Sequence, residues 1–237
     1  MEKISEKINH QMKMNEFIDL IEEIEGAGIK GYIELPRFCV IGGFNIGKSS
    51  VIENILNLDF LPRADTMKPV EIKINHIKDN YQAYATLEEL NSLKIYYDFS
   101  QLKQELENIL ENYDYNYMNN FSKIEKDKGA LHVNIYYPNL PSITIIDLPP
   151  IIRNRYEYCF DWKEKKSRNI INNYINNESK IILCLMHAMT TFEINEELRM
   201  AKEIDINGKR TLGIVTKIDI MDSGTDCSKS LLTQEYL

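Results

Sequence analysis

The chain has 237 residues, 43% of them hydrophobic, and a formal charge of -8, which together predict one large domain with a sizeable core. The acidic balance excludes a surface built to displace counterions from a nucleic-acid backbone, so no nucleic acid is expected as a partner. Four dispersed cysteines without a CxxC pair exclude a zinc knuckle or redox dithiol. The polar start and the absence of a bilayer-length apolar run point to a reduced, cytoplasmic setting with at most peripheral membrane contact.

Residues 1–30 are expected to form an N-terminal amphipathic helical arm, ahead of a single domain over residues 31–237. Within the arm, Asn15 is a cap, Phe17, Leu20, Ile21 and Ile24 recur at helical spacing, and Gly26 and Gly28 stop the helix. Ile4, Ile8 and Met12 extend the same stripe upstream. Phe38-Cys39-Val40-Ile41 then reads as a buried strand, leading through a Gly-rich turn into a helix marked by Val51, Ile52, Ile55 and Leu56. Further strands are predicted over 70–77, 131–137, 142–146, 180–185 and 211–215, alternating with helices at about 99–110, 153–175 and 192–204. This alternation predicts an α/β sheet with covered faces. The polar, Asn- and Tyr-rich stretch 111–128 reads as a surface connection, and its Tyr113, Tyr115 and Tyr117 fit an interface or a solvated loop equally.

Gly42-Gly43-Phe44-Asn45-Ile46-Gly47-Lys48-Ser49 matches the phosphate-binding loop GxxxxGK[ST] and lies between a predicted strand and a predicted helix, as that loop requires. Its glycines let successive N–H groups point at phosphates, and the helix N-terminus adds partial positive charge. Lys48 would reach the β- and γ-phosphates and Ser49 would ligate Mg²⁺. Thr216-Lys217-Ile218-Asp219 follows an apolar strand, at the end where α/β sheets bind ligands. An ionised Asp219 accepts from both the ring N–H and the exocyclic amine of guanine, a donor pair that adenine lacks at that edge, while the stem of Lys217 would lie along the base. Asp147, just after the strand Ile143-Thr144-Ile145-Ile146, stands where a carboxylate holds Mg²⁺ through water. Thr66 is the remaining candidate Mg²⁺ ligand.

The order and wording of these segments resemble dynamin-family GTPases over roughly residues 17–226. Gly47-Lys48-Ser49-Ser50-Val51-Ile52-Glu53-Asn54, Asp59-Phe60-Leu61-Pro62-Arg63, Asp147-Leu148-Pro149, Ala201-Lys202-Glu203-Ile204-Asp205 and the run from Thr216 to Asp226 carry the likeness. It implies a three-layer P-loop GTPase domain with a mostly parallel central sheet and helices on both faces. It also implies GTP and GDP as ligands, Mg²⁺ as cofactor, Lys48, Thr66 and Asn45 around the chemistry, and Ser50 among the nucleotide contacts. Self-association or pairing with a related chain through the nucleotide face, and peripheral contact with membranes or microtubules, are further implications. The chain stops before the family's final guanine-binding loop and its helical stalk, so a truncated domain is expected.

The sequence departs from the family's pattern at three points. Phe44 replaces a glutamine that helps orient the attacking water, and its side chain offers no donor or acceptor. Only Ala64 and Asp65 separate Arg63 from Thr66, a switch loop about three residues short. Pro150 replaces a glycine whose N–H meets the γ-phosphate, and proline has no N–H. Two expectations follow: a GTP hydrolase linked by family to membrane remodelling, or a hydrolysis-impaired GTP-binding or interaction module that pairs with full-length relatives. No role is assigned to His10, His76, His132 or His187.

Overall fold

Side chains of β1 (Arg37–Ile41) leave the strand toward two different cores, Val40 on one side and Cys39 and Ile41 on the other. A strand that is apolar on both faces must be covered on both. The computed structural model describes residues 37–63, 66–78, 80–89, 92–119, 129–138, 140, 142–152, 161–190 and 195–221. It shows β1 inside an eight-stranded sheet of order β4-β3-β5-β2-β6-β1-β7-β8. Here β2 is Val70–His76, β3 Tyr84–Glu89, β4 Ser92–Tyr96 and β5 Leu131–Tyr137; β6 is Ile143–Asp147, β7 Lys180–His187 and β8 Thr211–Thr216.

On one face lie α1 (Lys48–Leu56) and α2 (Phe99–Asn119), whose Ile52, Leu56, Leu102, Leu106 and Leu110 join the core with Phe60 and Leu61. On the other lie α3 (Asp161–Ile175) and α4 (Glu196–Ile204), contributing Ile171, Ile175, Leu198, Met200 and Ala201. The three-layer α/β architecture is therefore as expected. Asn195 caps α4 by accepting from Leu198 N, with Glu196 and Glu197 in the first turn and Lys202 in the last, each sign favourable to the helix dipole. Burial pushes the thiol of Cys39 up to about 11 and that of Cys184 up to about 12, so both behave as small apolar core residues.

The sheet is mixed. β6, β1, β7 and β8 run parallel, but β2 is antiparallel to β6 and carries β5, parallel to itself, beyond it. The inversion matters for the site, because it pairs Val70, the first residue of β2, with Asp147, the last residue of β6.

Two elements differ from expectation. Residues 111–119, expected as a surface connection, continue α2. The helix runs on because Tyr113 and Asp114 find tertiary partners, which override a composition of middling helix propensity. The hairpin of β3 and β4 was not foreseen. In β4 the apolar residues Leu93 and Ile95 are exposed, while Lys94, opposite the buried Leu87, pairs with Glu105 of α2. Leu93, Lys94 and Ile95 are all exposed, so β4 lacks the alternation of buried apolar and exposed polar residues by which a half-buried strand is recognised. Observed α3 and α4 begin at Asp161 and Glu196. Residues 153–160 and 192–194, the predicted arm 1–30 and everything after Met221 lie outside the described residues.

Candidate functional site

Because β1, β6, β7 and β8 run parallel, Ile41, Asp147, His187 and Thr216 all end at one edge of the sheet. That edge, outside the carboxyl ends of parallel strands, is where open α/β sheets take ligands. The reversed β2 delivers the segment before it, Thr66 to Pro69, to the same edge. One topological feature therefore gathers all four predicted segments.

Residues 42–47 leave β1 and turn sharply into α1. Gly47, at the N-cap of α1, has φ +99°, in the left-handed region that L side chains rarely adopt. Asn45 also has positive φ, 50°, which asparagine tolerates better than most residues. Gly43 forms a parallel bridge with Ile151, and Ile151 N donates to Gly42 O at 2.9 Å. A Cβ at Gly43 would stand 2.7 Å from Oε1 of Glu197, so a side chain there would displace that carboxylate of α4 from its place behind the loop. Ile46 and Lys48 are buried, Ser49 is half-buried, and Ser50 and Phe44 are exposed, Phe44 by 56%.

The predicted base-side segment is joined to the predicted phosphate loop directly. The Thr216 hydroxyl lies 2.8 Å from Ile46 O and 3.2 Å from Met186 O. One proton donated against two carbonyls ties the end of β8 to both its neighbour strand and the loop. Lys217 then turns through φ 58°, and Asp219 sits exposed on the short 3-10 turn Ile218–Ile220. Exposure is compatible with the role expected for Asp219, since a base would reach it from solvent.

Asp147 pairs in register with Val40, two residues before Gly42. Its Oδ1 is buried and accepts no hydrogen bond among the described residues, although the side chain has other interactions. After β6 the chain passes Leu148, Pro149 and Pro150, all buried. Pro150 O accepts from Oγ of the buried Ser167 of α3 at 2.6 Å. The carbonyl side of this turn is thus fixed by α3, while its nitrogen side has no proton to give.

Thr66 lies against α2. Its hydroxyl donates to Asp114 Oδ1 at 3.3 Å, Met67 N donates to the same oxygen at 3.1 Å, and Lys68 N donates to Thr66 Oγ1 at 3.1 Å. Met67 packs with Ile152 and Tyr113, which brings the segment before β2 against the turn after β6.

Three residues that the sequence reading passed over shape this edge. Glu53, buried on α1, accepts from Phe60 N and Leu61 N at 3.0 and 2.8 Å and pairs with Arg63, whose Nη1 donates to Ser50 Oγ. That carboxylate staples α1 to the loop leading into the switch segment. Glu197 backs the phosphate loop, and Asp114 holds Thr66. Asp114 carried a signal: Leu102, Leu106, Leu110 and Asp114 are spaced by four on one helix, so the carboxylate inherits the inward stripe.

The donor set suits a hard cation. Ser49, Thr66 and Asp147 offer hydroxyl and carboxylate oxygens only, and among the described residues no three His, Cys, Asp or Glu side chains are grouped to hold a metal alone. Mg²⁺ is typically held in this way, by few protein oxygens together with substrate phosphates and water.

Comparison with known proteins gives a consistent answer. The family model for the dynamin family matches residues 38–218. The chain is 33% identical over 233 residues to the dynamin-1-like protein of Danio rerio, covering 92% of this chain and 32% of that protein. It is 33% identical over 210 residues to dynamin-A of Dictyostelium discoideum, covering 84% and 23%. It is 32% identical over 208 residues to phragmoplastin DRP1A of Arabidopsis thaliana, covering 83% and 32%. The chain thus spans about a third or less of the length of these relatives. Its fold is similar to a chain in the solved structure of an oligomerised bacterial dynamin pair, with a TM-score of 0.50 and 16% identity over 86% of this chain and 29% of that one. With the family match running from β1 past the end of β8 and taking in the phosphate-loop motif, Thr66 and Asp147, this chain belongs to the dynamin family.

Proposed function

We propose that this chain binds GTP with Mg²⁺ and hydrolyses it to GDP and phosphate. The observation that carries this reading is the hydrogen bond from Thr216 to Ile46 O, which fixes the predicted base-reading segment on the predicted phosphate loop. The loop N–H groups and Lys48 take the phosphates, since oriented amides at a helix N-terminus and an ammonium together offset the charge of a polyphosphate. Asp219 reads guanine and Lys217 covers the ring. Ser49 and Thr66 would hold Mg²⁺ directly and Asp147 through water, and the ion would supply positive charge against the negative charge that develops on the phosphates during transfer. Asn45, exposed beside the phosphates, is the polar side chain left in the loop to contact the reacting end.

A second reading, a hydrolysis-impaired module that pairs with full-length relatives, is favoured by Phe44. An aromatic ring exposed by 56% on the nucleotide face cannot orient water but is suited to burial against another chain. Under either reading, pairing across this face and peripheral contact with membranes or microtubules are the expected associations. Among the described residues no helix is long and apolar enough to cross a membrane.

Phosphate release with GTP and Mg²⁺, measured beside Lys48→Ala, tests the reading. Release that depends on Lys48 is the expected result; rates indistinguishable between the two proteins would remove hydrolysis, and saturable GTP binding without release would establish the second reading.

A further inference from the structure

α2 presents an unbroken inward stripe, Leu102, Leu106 and Leu110, all buried, and the next position in that stripe is Asp114. A carboxylate there requires donors, and it finds both in the segment that precedes β2: the hydroxyl of Thr66 and the N–H of Met67 share Oδ1. The neighbouring Tyr113 closes on the same segment, packing with Met67 and receiving Lys68 Nζ 4.6 Å above its ring. The last turns of α2 therefore clasp residues 66–68.

The arrangement of protons at Thr66 has a chemical consequence. A hydroxyl has one proton and two lone pairs. Its proton goes to Asp114 and one lone pair accepts from Lys68 N, which leaves one lone pair uncommitted among the described residues. A threonine that is to ligate a cation needs this: its proton turned away onto an acceptor and an oxygen lone pair turned outward. A carboxylate taking the proton also makes the oxygen a better ligand, as carboxylates behind metal-bound histidines do.

We propose that Asp114 is a positioning residue for the switch threonine, setting the Thr66 oxygen toward the cation and γ-phosphate. This rests on the GTP·Mg²⁺ reading above and deepens it. Asp114 touches neither nucleotide nor metal; it acts through Thr66 and through the backbone at Met67.

The test measures affinity for a non-hydrolysable GTP analogue and for GDP, with Mg²⁺ and with EDTA, in wild type, Asp114→Ala, Asp114→Asn and Thr66→Val. Asp114→Ala is expected to weaken the Mg²⁺-loaded GTP analogue about tenfold and to leave GDP within about twofold, the difference disappearing in EDTA. Asp114→Asn, which keeps an oxygen acceptor for both donors, recovers most of the loss, and Asp114→Ala adds little once Thr66 is valine. An equal loss for GTP and GDP, or unchanged GTP affinity, overturns the proposal and leaves Asp114 a structural staple. Amide exchange at Met67 in nucleotide-free protein gives a ligand-independent check: Asp114→Ala should speed it, and unchanged exchange also overturns the proposal. If wild type binds neither nucleotide, the functional reading falls and takes this inference with it, whereas nucleotide binding indifferent to Asp114 removes this inference alone.

Discussion

From Gly42 to Ser49 the chain is shaped largely by backbone contacts, whereas from Thr66 to Lys68 it is held by side chains borrowed from α2. The phosphate loop is tied by Ile151 N to Gly42 O and by the Thr216 hydroxyl to Ile46 O, and its turn is set by the positive φ at Gly47. The switch segment depends on Asp114 and Tyr113, and the turn after β6 on Ser167 reaching Pro150 O. A backbone-defined cradle tolerates side-chain change, so Phe44 can occupy the loop without disturbing its course. The switch side is different, because one substitution there removes a donor or an acceptor that nothing else replaces. Under the proposed function, gripping and hydrolysing would rest on unequally robust parts of one site.

If the gripping side is what the comparison makes it, its largest sensitivity lies at the base. Asp219→Asn should lower GTP affinity by about one to two orders of magnitude, because a contact that the bound base would cover loses an ionised acceptor, while thermal stability stays near wild type since Asp219 is exposed in the nucleotide-free chain. Equal affinity in titrations with a fluescently labelled guanine nucleotide would show that the base is read elsewhere.

On the switch side the informative change is a repair. Pro150→Gly restores an N–H without removing the carbonyl that Ser167 holds, and should raise the preference for GTP over GDP about tenfold. An unchanged ratio in competition binding would mean that the turn does not face the γ-phosphate.

The joint between base and phosphate segments is sharpened by Thr216→Val, which is nearly isosteric but cannot donate to Ile46 O or Met186 O. We expect a loss of about 1 kcal/mol or somewhat more, read as a fall in melting temperature of roughly 2–4 °C, with a matching drop in nucleotide affinity. A melting temperature that falls while affinity holds would separate the joint from the site.

The smallest expected effect concerns Asp205, which caps the turn into β8. Burial opposes its ionisation, but the Thr211 hydroxyl and the N–H groups of Arg210 and Lys209 outweigh it and hold the carboxyl below its ordinary value. A depressed folded-state value contributes stability that is present above the unfolded carboxylate range and lost as pH falls through the folded value. Asp205→Asn should thus be less stable than wild type at neutral pH, with the gap closing as pH falls below the ordinary carboxylate range. A gap independent of pH in parallel denaturation series would sink that account.

What sequence alone determined is local. A glycine-rich loop between an apolar run and a helical stripe, an aspartate after a buried strand, and a threonine-lysine-x-aspartate run each follow from short-range patterning, and with them the α/β alternation. Such patterns survive translation into structure because backbone conformation and the burial of a strand depend on near neighbours. The length of α2 and the β3–β4 hairpin were not legible for the opposite reason. Residues 111–119 are helical through contacts with residues 66–67 and 152, and β4 exposes Leu93, Lys94 and Ile95 alike, with Lys94 paired to Glu105 at the surface.

Only the tertiary structure decided which partners meet. The antiparallel setting of β2 places Val70 beside Asp147 and so brings Thr66 to the site edge, and the fourth inward turn of α2 puts Asp114 against it. Spacing by four shows that Asp114 lies on the inward stripe, but neither its partner nor the pairing of β2 with β6 leaves a trace in sequence spacing, because strand order and the crossing of a helix over a sheet are settled by burial of the whole core rather than by any one segment.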